Sequence, residues 1–320
     1  MNEVTDSKRI PVLIDCDPGH DDAVALILAF GSQRLDVLGV STVAGNSTGL
    51  NTYRNARKIL SFIGADVEVA KGAEKPILRP LVIAPNVHGE SGLDGPMLPE
   101  PEPKRPPRAA IDLITDTLLT FPGKVTLVPT GPLTNIAIAL LARPQIKDKI
   151  DRIVLMGGAA LEGNWTPAAE FNIYVDPEAA RIVFESGVPI TMIGLDVTHK
   201  ALIYPDEVEA LRKSGRVGRV VAELMDFYSI FYRQQGFKGN PIHDAVAVAA
   251  VFEPDIVTTR YLHVDIETSG EFTVGRTVVD FSGVTGKSPN CHVALGLDRE
   301  RFIKLIFDAV NTLEKKVADR

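Results

Sequence analysis

Four aspartates fall close together near the start of the chain: Asp15, Asp17, Asp21 and Asp22, in the stretch DCDPGHDDA. Carboxylates this crowded repel one another unless a cation sits among them or some stay protonated. Helix capping accounts for one of them, or two, because Asp after a strand often opens the next helix. It does not account for four. Acceptor-only oxygen ligands suit a hard ion, Ca²⁺ or Mg²⁺. The EF-hand spacing, with its glycine and distal glutamate, is missing. The chemistry on offer is a hard cation held by carboxylates, next to groups that can move a proton.

Other stretches could join it. NPIHDAVAVAAVF places His243 and Asp244 at the opening of an apolar helix. Read alone, Asp244 is a helix cap and His243 a surface residue. In the same setting as the Asp cluster, His243 becomes a candidate acid near neutral pH. AEFNIYVDPEAA puts Glu170 and Asn172 near a helix start, just after Asn164 and the single tryptophan, Trp165. Amides beside carboxylates suit a polyhydroxylated ligand, and loop and cap chemistry is the plain alternative. VPTGPLTN reads as a strand, a turn and a helix, where the Thr130 carbonyl could ligate a hard ion. NVHGESGLDG, with His88 and three glycines, reads as a lid or as an ordinary surface loop.

Several resemblances to known motifs fail. GVTGKS has Phe281 where a P-loop needs glycine, and no GxGxxG fingerprint occurs. HGESG lacks nucleophile-elbow spacing. Cys16 lies between two aspartates, which raise a thiol's pKa and make it a poor nucleophile. The sequons at Asn46 and Asn164 are read as chance matches.

These residues need elements to hold them. Apolar runs in PVLID, KVTLVPT, DRIVLMGG and PITMIGLD read as buried strands of a parallel sheet. Helical stretches alternate with them: DAVALILAFG, YRNARKILSFIG, AAIDLITDTLLTF, LTNIAIALLAR and PEAARIVFESG. The expected fold is α/β, with a mostly parallel, doubly wound (Rossmann-like) sheet flanked by helices. Ligands of such sheets bind at the carboxyl ends of the strands, and the Asp cluster follows the strand Ile10 to Asp15. Period-two alternation from about Tyr261 to Phe281 predicts a hairpin, and the end of the chain predicts an amphipathic helix. The proline-rich stretch Pro96 to Arg108 reads as an ordered surface loop or short connector. With no internal repeat, residues 1–320 are expected to form one domain.

Bulk properties exclude some classes. A chain of 320 residues with 45% hydrophobic and 23% charged residues is that of an ordinary soluble globular protein. A net charge of −7 without a basic patch argues against nucleic acid as a partner. No apolar run reaches membrane-spanning length, so no membrane partner is expected. The polar opening MNEVTDSKRI is unlike a secretory signal, and two cysteines do not make a disulfide framework. A cytoplasmic location is the simplest expectation.

Taken in order, DCDPGHDDA, VAGN, NVHGESGLDG, VPTGPLTN, VLMGGA, AEFNIYVDPEAA, GLDVTH and HDA resemble the nucleoside hydrolase family over nearly the whole chain. NVHGESGLDGP and GNWTPAAEFNIYVDPEAA look most like its pyrimidine-preferring ribonucleoside hydrolases. The resemblance implies a nucleoside hydrolase fold and calcium-dependent cleavage of the N-glycosidic bond of ribonucleosides. Uridine and cytidine would yield ribose and the free base, in nucleoside salvage. A broader inosine-uridine hydrolase is the alternative within the family, and a homotetramer is implied.

Residue by residue, the resemblance makes Asp17, Asp22 and Asp244 calcium ligands, together with the main-chain carbonyl of Thr130. Asp17 also matches the general base, and His243 the proton donor to the leaving base. Asp21, Asn46, Asn164, Glu170 and Asn172 match residues that hold the ribose hydroxyls. Asp15 matches a supporting carboxylate near the ion, and His88 a loop histidine near the substrate. Tyr228 and Tyr232 fall where the family places aromatic residues around the base, and Gln235 is a further candidate there. Ala245 replaces the proline that many members carry after His-Asp, which bears only on the angle of His243.

Two other classes compete. An aspartyl-nucleophile phosphatase also uses a D-x-D motif, but needs Thr or Val where this chain has Gly19. A nucleoside sensor could keep the pocket but would not need both a base and an acid.

Overall fold

The structure is a computed structural model that describes residues 9–101 and 106–318. The polar opening before Arg9 and the centre of the proline-rich stretch lie outside the described residues; the rest of that stretch runs without helix or strand as far as Pro107.

Six parallel strands form the framework: β1 Ile10–Cys16, β2 Leu35–Thr42, β3 Val69–Lys71, β4 Val125–Pro129, β5 Ile150–Met156 and β6 Ile190–Ile193. Two short strands, β7 Leu202–Ile203 and β8 Asn240–Pro241, pair with each other apart from the main sheet. Then follow β9 Val257–Ile266, β10 Thr277–Asp280 and β11 Cys291–Leu297. The nine-stranded sheet runs β10-β9-β11-β6-β5-β4-β1-β2-β3. β11 joins β6 in parallel, and β9 and β10 add antiparallel strands at that edge. The late hairpin expected from alternation is thus present, and β11 is what attaches it to the sheet.

The chain builds outward from β1 in one direction through β2 and β3. It then returns to the other side of β1 for β4, β5 and β6. The strand order therefore reverses between β1 and β4, where a doubly wound sheet opens a crevice at its carboxyl edge. Asp17 follows β1 and Thr130 follows β4, so both stand at that point.

Helices cover both faces. His20–Gly31, His243–Phe252 and Arg299–Ala318 pack on one, and Ala110–Thr120, Thr134–Ala142 and Pro177–Phe184 on the other. Every residue of His243–Phe252 is buried, as is every residue of His20–Gly31 except Phe30. Helices apolar on all sides are stable only when enclosed. HDAVAVAAVF meets that condition with small side chains that allow neighbours to approach.

Gly31 shows how close the approach is. A Cβ there would lie 2.6 Å from both the carbonyl oxygen and the Cβ of Ala309 on the last helix. Gly31→Ala should force the two helices apart and cost about 1–3 kcal/mol. Urea unfolding should show the midpoint falling with an unchanged slope; an unchanged midpoint would mean the helices separate at no cost.

Candidate active site

Local chain geometry assembles most of the acidic cluster. β1 ends at Cys16, Asp17-Pro18-Gly19 turns the chain, and the helix starts at His20 with Asp21 and Asp22 in its first turn. Acidic residues are favoured there by the helix dipole. Asp22 closes the turn by accepting the Gly19 N–H at 3.1 Å. The second buried helix brings in Asp244. Carboxylate oxygens of Asp21, Asp22 and Asp244 lie within 4.8 Å of one another, and this is the one such group among the described residues.

Asp17 sits against this trio. One of its oxygens accepts the Asn46 backbone N–H at 2.7 Å, while its Oδ1 is buried without a hydrogen-bond partner. The space is tight enough that a Cβ on Gly45 would fall 2.1 Å from Asp17 Oδ2. Burial, then the charge of neighbouring aspartates, raises Asp17 and Asp244 well above the usual carboxylate range. Burial also raises Asp22, and it pushes Asp21 up to about 7 with the help of Asp22. A buried, mutually repelling set with an unpartnered oxygen is what a bound cation would relieve. The cluster can hold a metal ion.

Thr130 links the cluster to Asn172. Its hydroxyl donates to Asp22 Oδ1 at 2.8 Å, and its carbonyl accepts the Asn172 amide at 2.8 Å. Asp15 lies behind. Its Oδ1 accepts from Ser41 Oγ at 2.6 Å and Asn135 Nδ2 at 2.8 Å, and its Oδ2 is unpartnered. Burial raises it to about 6.

A cavity of about 390 Å³ opens above the cluster. Asp21, Thr130 and Asp244 reach its wall, with Asn46, His88, Asn164, Glu170 and Asn172 around them. Asp15, Asp17 and Asp22 stand behind that wall. Glu170 caps the short helix Phe171–Val175, accepting from the N–H groups of Asn172 and Ile173 at 2.9 and 3.1 Å. It also accepts from Gly158 N–H at 2.9 Å, yet burial raises it to about 7. Asn164 accepts the Phe171 N–H at 3.0 Å, and Asn46 donates to Asp22 Oδ2 at 3.1 Å.

His243, Tyr228, Tyr232 and Gln235 also line the cavity, and Tyr228 hydrogen-bonds the Asp21 carboxylate. His243 is buried rather than on the surface, and Ile242, not Asp244, is the cap residue of its helix. His243 Nδ1 lies 2.8 Å from Thr198 Oγ1, and Nε2 lies 2.9 Å from the Tyr232 hydroxyl. The Tyr228 hydroxyl follows at 3.3 Å. Burial, then the neighbouring His199, holds His243 well below the ordinary histidine range.

The cavity thus brings carboxylates and amides together with aromatic rings and a histidine. The family model described as inosine-uridine preferring nucleoside hydrolase matches residues 12–304. The chain belongs to this nucleoside hydrolase family. The pyrimidine-specific ribonucleoside hydrolase RihA of Citrobacter koseri is 50% identical over 301 residues, which are 93% of this chain and 96% of that one. Its counterpart in Escherichia coli O81 is also 50% identical, over 93% of this chain and 97% of its own. A solved purine-preferring ribonucleoside hydrolase from Gardnerella vaginalis has a TM-score of 0.89 at 35% identity, covering 96% of this chain and 99% of its own. This nucleoside hydrolase is accordingly an enzyme of the ribonucleoside N-glycosidic bond.

Several residues around the nucleoside hydrolase cavity escaped the sequence reading. His199, Phe231 and Phe237 line it beside Gln235, and Asn86 lines it near His88. Aromatic residues on amphipathic helices look like core, and no spacing marks the ones that face a cavity. His20 was visible inside DCDPGHDDA, but its contacts arise 68 and 74 residues away, beyond any local pattern. No described helix is long and apolar enough to cross a membrane.

Proposed function

We propose that this enzyme hydrolyses pyrimidine ribonucleosides, uridine and cytidine, with a calcium ion as cofactor, in cytoplasmic nucleoside salvage. The observation that carries the reading is that a buried carboxylate cluster and a histidine–tyrosine chain line one cavity. Base preference is supported by the 50% identity to pyrimidine-specific relatives.

Asp17, Asp22, Asp244 and the Thr130 carbonyl would hold the ion, and the unpartnered Asp17 Oδ1 supports that fit. Oxygen ligands throughout favour calcium over softer metals. A bound divalent ion would acidify water and grip hydroxyl oxygens. Asp17 takes the proton of the water that attacks C1′. Asp21, Asn46, Asn164, Glu170 and Asn172 hold the ribose hydroxyls. The C1′–N bond breaks with oxocarbenium-like charge on the sugar, which the surrounding carboxylates stabilise. His243 protonates the departing base, with Tyr228, Tyr232 and Gln235 around it and His88 at the near wall. Asp15, tied to Ser41 and Asn135, supports the cluster from behind. A homo-oligomer, tetrameric by family resemblance, would cover exposed apolar side chains such as Met97, Phe272 and Val284.

Ribose release should be followed with uridine, cytidine and inosine, before and after chelation and with calcium returned. Activity is expected to vanish with chelator and return with calcium, with both pyrimidine nucleosides ahead of inosine. Turnover that survives thorough chelation would overturn the metal role. A wider base range is the second reading, favoured by the fold match to a purine-preferring enzyme; equal rates on inosine would establish it.

Acid linkage gives a second readout. Asp15, Asp21 and Glu170 are raised to about 6, 7 and 7, and Asp17, Asp22 and Asp244 are raised as well. A raised acid stabilises the fold below its unfolded value of about 4, and that stability is lost as pH climbs through the folded value. The chelated protein should therefore lose stability between about pH 4 and about pH 7. Calcium needs ionised ligands and should bind more tightly over the same interval. The gain in Tm on adding calcium is expected to be larger at about pH 7.5 than at about pH 5.5. A gain that shrinks with rising pH would contradict the assignment.

A further inference from the structure

His199 has no part in the roles above, yet it lines the cavity together with the groups placed around the departing base. Its ring stands edge-on to His243, with centroids 5.7 Å apart, and edge-on to Phe237 at 5.2 Å. Tyr232 in turn meets Phe237 edge-on at 5.3 Å and Tyr228 at 4.7 Å. These rings form one connected group. Most of their polar atoms are already engaged: His243 with Thr198 and Tyr232, and the two tyrosine hydroxyls with each other. His199 is the exception. Neither of its ring nitrogens has a hydrogen-bond partner among the described residues, and neither is shut off from solvent.

The backbone that carries this ring is tethered. His199 caps the short helix Leu195–Thr198, and its N–H donates to the Leu195 carbonyl at 3.0 Å. In the same turn, Asp196 accepts from the N–H groups of Ala160 and Leu161 at 2.6 and 3.1 Å. A fixed backbone with an unspent polar tip suits a ligand contact, because little ordering remains to be done on binding. The plain alternative is a ring that packs against Phe237 and His243 and shapes the cavity. A phenylalanine would serve that purpose without two polar nitrogens that an occupant must desolvate.

Burial holds His199 below the ordinary histidine range, over the opposing charges of Asp196 and Glu162, so the ring is neutral. A neutral imidazole has one N–H donor and one bare acceptor. Hydrogen bonds decide which nitrogen carries the proton, and within the protein none decides it here. Uracil and cytosine differ at position 4, where one has a carbonyl oxygen that accepts and the other an amino group that donates. We propose that His199 reads position 4 of the bound pyrimidine, donating to O4 of uridine and accepting from N4 of cytidine. The proposal deepens the pyrimidine reading of the cavity and rests on it: one side chain serves both bases.

The test measures kcat/KM of the calcium-loaded full chain on uridine, cytidine and the riboside of 2-pyrimidinone, which carries only hydrogen at position 4. His199→Phe keeps a ring and removes both nitrogens. It should lower kcat/KM on uridine and on cytidine roughly 5- to 20-fold, the scale of one lost hydrogen bond. On the 2-pyrimidinone riboside it should cost less than about twofold. His199→Gln, whose amide also donates and accepts, should recover most of the loss on both natural bases. Equal losses on all three ribosides would overturn the proposal and make His199 a support for His243. A loss confined to one natural base would overturn the two-way contact. A riboside that binds without being cleaved is compared by its Ki against uridine. If His199→Phe does not fold, His199→Ala carries the same comparison. A parent enzyme that cleaves none of the three ends the pyrimidine reading and this proposal with it. A parent that cleaves them, with equal losses in the variant, ends this proposal alone.

Discussion

Asp17→Ala is expected to abolish ribose release from uridine, with kcat/KM falling by about 10⁴-fold or more. That size reflects two losses at once. Removing a positioned base typically costs about 10²- to 10⁴-fold, and removing electrostatic support for the transition state adds about 10²-fold or more. Asp17 is the residue placed to cause both: one oxygen is fixed by the Asn46 N–H, and the other is buried, unpartnered and beside Asp22. Asp17→Asn separates chemistry from folding. Its amide oxygen can still accept from Asn46, so no buried N–H is orphaned. It also removes one member of a set of repelling carboxylates. The chelated Asn variant should therefore melt at or above the chelated parent at about pH 7.5, while remaining inactive. Activity within about tenfold of the parent in either variant would remove Asp17 from the mechanism.

The acidic cluster was legible because it is local. Asp15, Asp17, Asp21 and Asp22 fall around one turn, so their proximity follows from chain connectivity alone. The buried strands were legible as apolar runs, and the position of the site followed from the rule for doubly wound sheets. The order of the strands was less accessible. The β7–β8 pair is two residues on each side and carries no periodicity. β11 was not anticipated, although it joins β9 to β6 and so holds the late hairpin in the sheet. What the sequence conceals most is which face of a helix meets the cavity. Tyr228 and Tyr232 were placed by resemblance, while Phe231 on the same helix and Phe237 just after it were not, though all four line the same space. Partners distant in sequence were equally hidden: His243 with Thr198 and His20 with Asp94 pair across 45 and 74 residues.

His243→Ala should lower kcat for uridine by about 10²- to 10⁴-fold, the usual cost of losing a general acid. The leaving group makes the prediction specific. Uracil departs poorly as an anion and gains from a proton, whereas 4-nitrophenolate departs readily without one. On 4-nitrophenyl riboside the same substitution should cost less than about tenfold. The surroundings of His243 fit a group that passes a proton rather than stores charge. Burial and His199 disfavour its charged form, so the ring is neutral at rest. Each ring nitrogen meets a hydroxyl, Thr198 on one side and Tyr232 on the other, and a hydroxyl can donate or accept. The proton given to the base can then be replaced along the chain without a buried imidazolium persisting. Equal losses on both ribosides would mean that His243 positions the substrate or shapes the cavity, and the proton would have to come from elsewhere. A large loss on uridine alone assigns the departure of the base to His243 and leaves the attack of water to the carboxylates of the acidic cluster.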